Sequence, residues 1–152
     1  MHSNISYGIE IYGNACYNSV KPLIISCNKV LRTLQCENKF CHVKPLYINY
    51  NTLPIDLLHK LAIGKMIYKS LDSKYDVPIL IRNLLNLILQ PHNHNTRLSD
   101  TNYLFKKSEC SFLHSYINNS CTDWNLIPVD IRKATSLYTF TSSYKSFLLS
   151  KW

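Results

Sequence analysis

The sequence predicts a mainly α fold, and three observations carry that expectation. Apolar residues recur at helical spacing in long stretches, as in Val20, Leu23, Ile24, Cys27, Leu31 and Leu34. Glycine is scarce, three in 152 residues, which disfavours a turn-dense β sandwich and a glycine-rich phosphate loop. Hydrophobic residues make up 46% and charged residues 17%, the balance of a chain with a core rather than of a disordered one. One small β hairpin is expected, near residues 103–117.

Residues 4–15 mix aromatic, β-branched and glycine residues and are locally ambiguous between helix and strand. Asn18 or Ser19 then caps a helix that runs to about Gln35, with Pro22 in its first turn. Its apolar face leaves Lys21, Asn28, Lys29, Arg32 and Thr33 on the rest of the surface. Residues 36–51 read as a loop or short extended segment that tucks Leu46 and Ile48 inward. A second long helix opens at Leu53-Pro54, with Thr52 as its cap, and runs to about Leu71. Asp56 and Lys60 form a favourable i,i+4 pair on it, and Lys65, Lys69 and Lys74 bring positive charge towards its C-terminal end.

Asp76-Val77-Pro78 opens a third helix to about Leu89, apolar nearly all round. Gln90 to Asn102 is a polar, turn-rich loop with His92 and His94. Tyr103–Lys107 and Ser111–Ile117 are the two strands of the expected hairpin. A helical turn or two follows, from Asn118 to Leu126, and contains Trp124, whose indole N–H needs a partner if buried. Pro128 presets the first turn of a short helix. Ser136 caps the closing helix, which lays Phe140, Tyr144, Phe147 and Leu148 on one side.

The charge balance, seventeen Lys+Arg against nine Asp+Glu, favours a polyanionic partner, most simply nucleic acid. Eleven tyrosines suit half-wet surfaces and base stacking. The most informative surface is the first long helix. A helix with a buried stripe and exposed Lys29 and Arg32 can lie along a phosphate backbone, although a plain solvated face has the same signature.

Six cysteines (Cys16, Cys27, Cys36, Cys41, Cys110 and Cys121) would permit a disulfide framework. Residues 1–12 lack the basic start and apolar run of a signal peptide, and no stretch reaches transmembrane length. The expected compartment is therefore intracellular and reducing, with free thiols and no membrane partner. Cys36-x4-Cys41-His42 is a local cluster of soft ligands, but it lacks a second pair at zinc spacing, so no metal or other cofactor is expected. No catalytic residue is expected either. The nine acids are scattered without the paired aspartates that hold two metal ions, and no phosphate-loop or dinucleotide fingerprint is present.

Three segments carry a family resemblance. Ser6-Tyr7-Gly8-Ile9-Glu10-Ile11-Tyr12-Gly13-Asn14-Ala15 resembles a "YGIEVWGNA" segment, with Tyr12 where the family has Trp. Leu53-Pro54-Ile55, leading into Leu58-His59-Lys60-Leu61 and Met66-Ile67-Tyr68-Lys69, is the second. The third comprises Asn95-Thr96-Arg97, Trp124-Asn125-Leu126-Ile127-Pro128, Ser136-Leu137 and Phe140 with a Lys-bearing final helix. In this order they resemble the C-terminal part of the reverse transcriptase of non-LTR (LINE-type) retrotransposons, over nearly the whole chain.

The resemblance implies that residues 4–15 are helical. It implies a thumb-like helical bundle in residues 1–90 and a C-terminal connector in 91–152, together in one compact unit. The polymerase chemistry of that family lies in a palm domain ahead of the YGIEVWGNA segment, so the implied role is contact with an RNA–DNA or DNA duplex backbone, without bond making. Lys21, Lys29 and Arg32 are the candidate nucleic-acid-binding residues, and a polymerase palm domain is the implied protein partner. The alternative expectation is a non-enzymatic helical interaction module that docks on another protein through the Ile79–Leu89 helix.

Overall fold

In the computed structural model, residues 5–79, 82, 90–91, 103–104 and 119–152 are described. The chain is mainly helical: α1 (Ile9–Tyr12), α2 (Tyr17–Leu34), α3 (Val43–Asn49), α4 (Ile55–Leu71), α5 (residues 119–125), α6 (Val129–Arg132) and α7 (Leu137–Lys151). It divides into two compact units. One comprises Met1–Ala62 with Lys145–Trp152, the other Ile63–Tyr144.

In the first unit, α2 buries Val20, Cys27 and Leu31. It starts earlier than expected. Cys16 is the cap, and its carbonyl accepts the N–H groups of Ser19 and Val20 at 2.9 and 3.3 Å. Pro22 consequently lies inside the helix rather than in its first turn. Without an N–H it cannot bond back to Asn18, a local weakness that the apolar face offsets by burial.

The C-terminus of α2 closes in a Schellman motif. The Glu37 N–H donates to Arg32 O at 2.9 Å and the Cys36 N–H to Thr33 O at 3.2 Å, with Cys36 left-handed at φ 52°. Asn51, φ 47°, does the same for α3, where Thr52 N–H reaches Tyr47 O and Asn51 N–H reaches Ile48 O, both at 2.9 Å.

Helix α3 corrects the extended segment expected over residues 36–51. Pro45 occupies its first turn, where a missing N–H is tolerated. Helical period replaces strand alternation, so Leu46 and Tyr47 are both buried and Ile48 points out. Leu31, Leu46 and Tyr47 form one apolar cluster, flanked by Cys41, Val43 and Trp152. Ile9, Val20, Cys27, Ile55 and Ala62 form another. The helical reading of residues 4–15 holds for α1, and the Tyr12 hydroxyl donates back to the Ile5 carbonyl.

Helix α4 begins at Ile55, and its first bond runs from Leu58 N–H to Pro54 O at 2.8 Å. Thr52 does not cap it: its Oγ1 is buried without a hydrogen-bond partner among the described residues.

In the second unit, Tyr68 stacks on Phe140 at 4.6 Å, and Phe140 in turn packs against Tyr144 and Trp124 at 5.6 and 5.9 Å. Trp124 is buried, and its Nε1 has no partner among the described residues. The Tyr68 hydroxyl donates to Ala134 O at 2.6 Å, and Leu137 N–H donates to the Tyr75 hydroxyl at 3.0 Å. Pro128 is the N-cap of α6.

Ser136 caps α7 as expected. Its Oγ accepts Thr139 N–H at 3.2 Å while its own N–H donates to Thr139 Oγ1 at 3.1 Å, a reciprocal capping box with Thr in the Glu position.

The hairpin expected at 103–117 is not supported. Tyr103–Leu104 pairs antiparallel with Gln90–Pro91, upstream of it, over two residues. Residues 105–118 lie outside the described residues, as do His92, His94, Asn95-Thr96-Arg97 and Cys110. Of the expected Asp76–Leu89 helix, Ile79 and Arg82 are described and helical. Among the described residues no helix is long and apolar enough to cross a membrane.

Candidate nucleic-acid interface

At about 100° per residue, Lys21, Arg32 and Lys29 fall within an arc of about 80° on α2. The buried stripe of Val20, Cys27 and Leu31 lies opposite Lys29, with Lys21 and Arg32 towards its edge. Lys21 and Lys29 are exposed and Arg32 is half-buried. Along the axis, Lys21 and Arg32 are about 16 Å apart. That is roughly five phosphate steps of one strand at 3.4 Å each. Helix α2 contains no acidic residue to neutralise them.

The three cations are not equivalent. Lys29 is exposed, and its ammonium can meet an anion. The Lys21 ammonium lies over the Tyr17 ring, 5.9 Å from its centroid. Arg32 is partly committed: its Nε and Nη2 both donate to the Cys41 carbonyl, at 3.1 and 3.0 Å. It therefore holds the following turn against the helix, and only its remaining N–H groups can face a ligand.

That turn supplies residues the sequence reasoning missed. Cys41 N–H donates to Asn38 O at 2.9 Å, and Phe40 N–H donates to Asn38 Oδ1 at 3.2 Å. Lys39 lies over the Phe40 ring at 5.1 Å. Further on, Lys44 sits 5.8 Å from the Trp152 ring centroid and donates to the Trp152 carbonyl. Trp152 meets the Tyr47 ring edge-on at 5.4 Å. The signal that could have found these residues is the interleaving of lysine with aromatics, as in Lys39-Phe40.

Behind the face, Tyr47 donates from its hydroxyl to Asn28 Oδ1 at 3.0 Å. Burial first, then the Cys27 and Asp56 charges, push its phenol up to about 12. Burial also pushes the Cys27 and Cys121 thiols up, which keeps them protonated and unreactive. An apolar cavity of about 170 Å³ lies in this unit, lined by Cys27, Leu31, Tyr47, Leu53, Ile55 and others. No group of three His, Cys, Asp or Glu side chains is placed to hold a metal among the described residues, Cys36, Cys41 and His42 included.

The first unit carries eight Lys+Arg against three acids, Glu10, Glu37 and Asp56. The second carries nine against six. The stronger imbalance thus coincides with the α2 face. Comparison with protein families, with curated proteins and with solved structures finds no match to this chain.

Proposed function

We propose that the chain corresponds to the thumb and C-terminal connector region of an RNA-directed DNA polymerase of the non-LTR retrotransposon type. Its own role is sequence-independent binding of a nucleic-acid backbone, with no bond making and no cofactor, in the cytoplasm or nucleus. The observation that carries this reading is the acid-free face of α2, where Lys29 lies opposite the buried stripe and Lys21 and Arg32 flank it. Phosphate contacts of this kind position a protein without reading bases. The three ordered resemblances in the sequence support the polymerase origin.

The test is the salt dependence of binding to an RNA–DNA duplex. Each phosphate neutralised contributes about 0.9 to the slope of log K against log salt on B-form DNA. Lys21→Glu with Lys29→Glu should weaken binding and flatten the slope by about two units on that scale. Arg32 is left intact because it braces the Cys41 turn. Unchanged affinity in the double variant would remove α2 as the contact.

A further inference from the structure

Phe40 is 81% exposed on a turn that is braced rather than loose. Glu37 N–H closes onto Arg32 O, Asn38 holds both Phe40 N–H and Cys41 N–H, and Arg32 grips the Cys41 carbonyl with two nitrogens. A ring on a loose loop can fold onto the nearest apolar surface. This one is held out in water, with the Lys39 ammonium 5.1 Å from its centroid.

The turn is tied to Arg32, so Phe40 stands at the C-terminal end of the cationic face. At the other end stands Tyr17, 64% exposed, with Lys21 over its ring. Two lysine–aromatic pairs therefore bracket the strip, whose helical part spans about 22 Å from Tyr17 to Arg32. On a duplex the bases are stacked inside, and a surface ring meets only sugar and phosphate. A presented ring beside a cation suits an unpaired base whose phosphate lies next to it.

We infer that Phe40 and Lys39 form a stacking site for an unpaired base, so that the ligand of this face is single-stranded nucleic acid. The inference rests on the reading that α2 contacts a nucleic-acid backbone and narrows that backbone to a single strand. Tyr17 offers a second platform at the far end.

The experiment measures fluorescence anisotropy of three labelled ligands with the full chain: a short oligothymidylate, an abasic backbone of the same length, and a DNA duplex. Wild type should bind the oligothymidylate about tenfold more tightly than the abasic strand, the scale of one stacked base. Phe40→Ala and Phe40→Leu should bring the oligothymidylate down to the abasic level and leave the other two ligands unchanged. Phe40→Trp should restore the difference.

The leucine variant matters because it keeps apolar area and loses the π face. Thermal melts equal to wild type show that these variants fold, as expected for a side chain outside both apolar clusters. If Phe40→Leu binds the oligothymidylate like wild type while Lys29→Glu weakens every ligand, stacking is refuted and the backbone reading stands. If wild type binds none of the three ligands, both fall.

Discussion

Cys36 adopts φ 52°, a conformation that costs an L-residue with a Cβ about 1 kcal/mol or more. Asn51 occupies the equivalent position after α3 at φ 47°, with a side chain better tolerated there. The pair separates chemistry from geometry, because the two Schellman motifs use the same hydrogen bonds. Cys36→Gly should stabilise the protein by about 0.5–1 kcal/mol, the relief of strain less the added freedom of the unfolded chain. Asn51→Gly should change stability by much less. The denaturant midpoint measures both, and a lower midpoint for Cys36→Gly would show that the turn is not left-handed in solution. The turn that presents Phe40 begins two residues further on, so strain at Cys36 lies four residues ahead of the candidate stacking site. Nothing in the local sequence signals it, since the residue that usually marks such a cap is glycine.

Among the helices, the packing of α4 sets a sharper test. A Cβ built on Gly64 would lie 2.7 Å from Tyr144 Cε1. Alanine gains about 1 kcal/mol of helix propensity over glycine, but overpacking a filled core costs about 1–3 kcal/mol. Tyr144 is 2% exposed and is packed against Phe140, so its ring has little room to yield. The clash should prevail, with Gly64→Ala net destabilising by about 1 kcal/mol. A stabilised variant in a urea titration would mean the ring can move aside.

Element by element, legibility followed the strength of the period. The long helices α2 and α4 were readable from apolar spacing, although their caps were not, and the Ser136 cap of α7 was readable from its side chain. Helix α3 was not, because Pro45 and the aromatic and β-branched run Leu46-Tyr47-Ile48-Asn49-Tyr50 imitate a strand. The Thr52 cap failed because the chain turns at Asn51 and starts α4 four residues later, at Ile55. The partner of Tyr103–Leu104 was misassigned because a two-residue pairing has no period to read.

For the molecule as a whole, a net charge of +8 does not by itself locate a ligand. At physiological salt the screening length is about 8 Å, so a bound polyanion responds to local clusters and barely to the total. The candidate residues Lys21, Lys29 and Arg32 were legible as charges on a helix face. Their inequality was not, because Arg32's grip on Cys41 depends on a turn that no motif announces. If α2 is the seat of binding, protection should be uneven across the two units. Lysine acetylation, followed by mass spectrometry with and without oligothymidylate, reads this directly. Bound strand should slow modification of Lys21, Lys29 and Lys39, which lie on or beside the proposed face. Lys65, Lys69, Lys74 and Lys133, in the second unit, should react at the free rate. Equal protection of all seven would mean a diffuse electrostatic cloud with no preferred face. Protection confined to the second unit would move the site off α2 and take the stacking role of Phe40 with it.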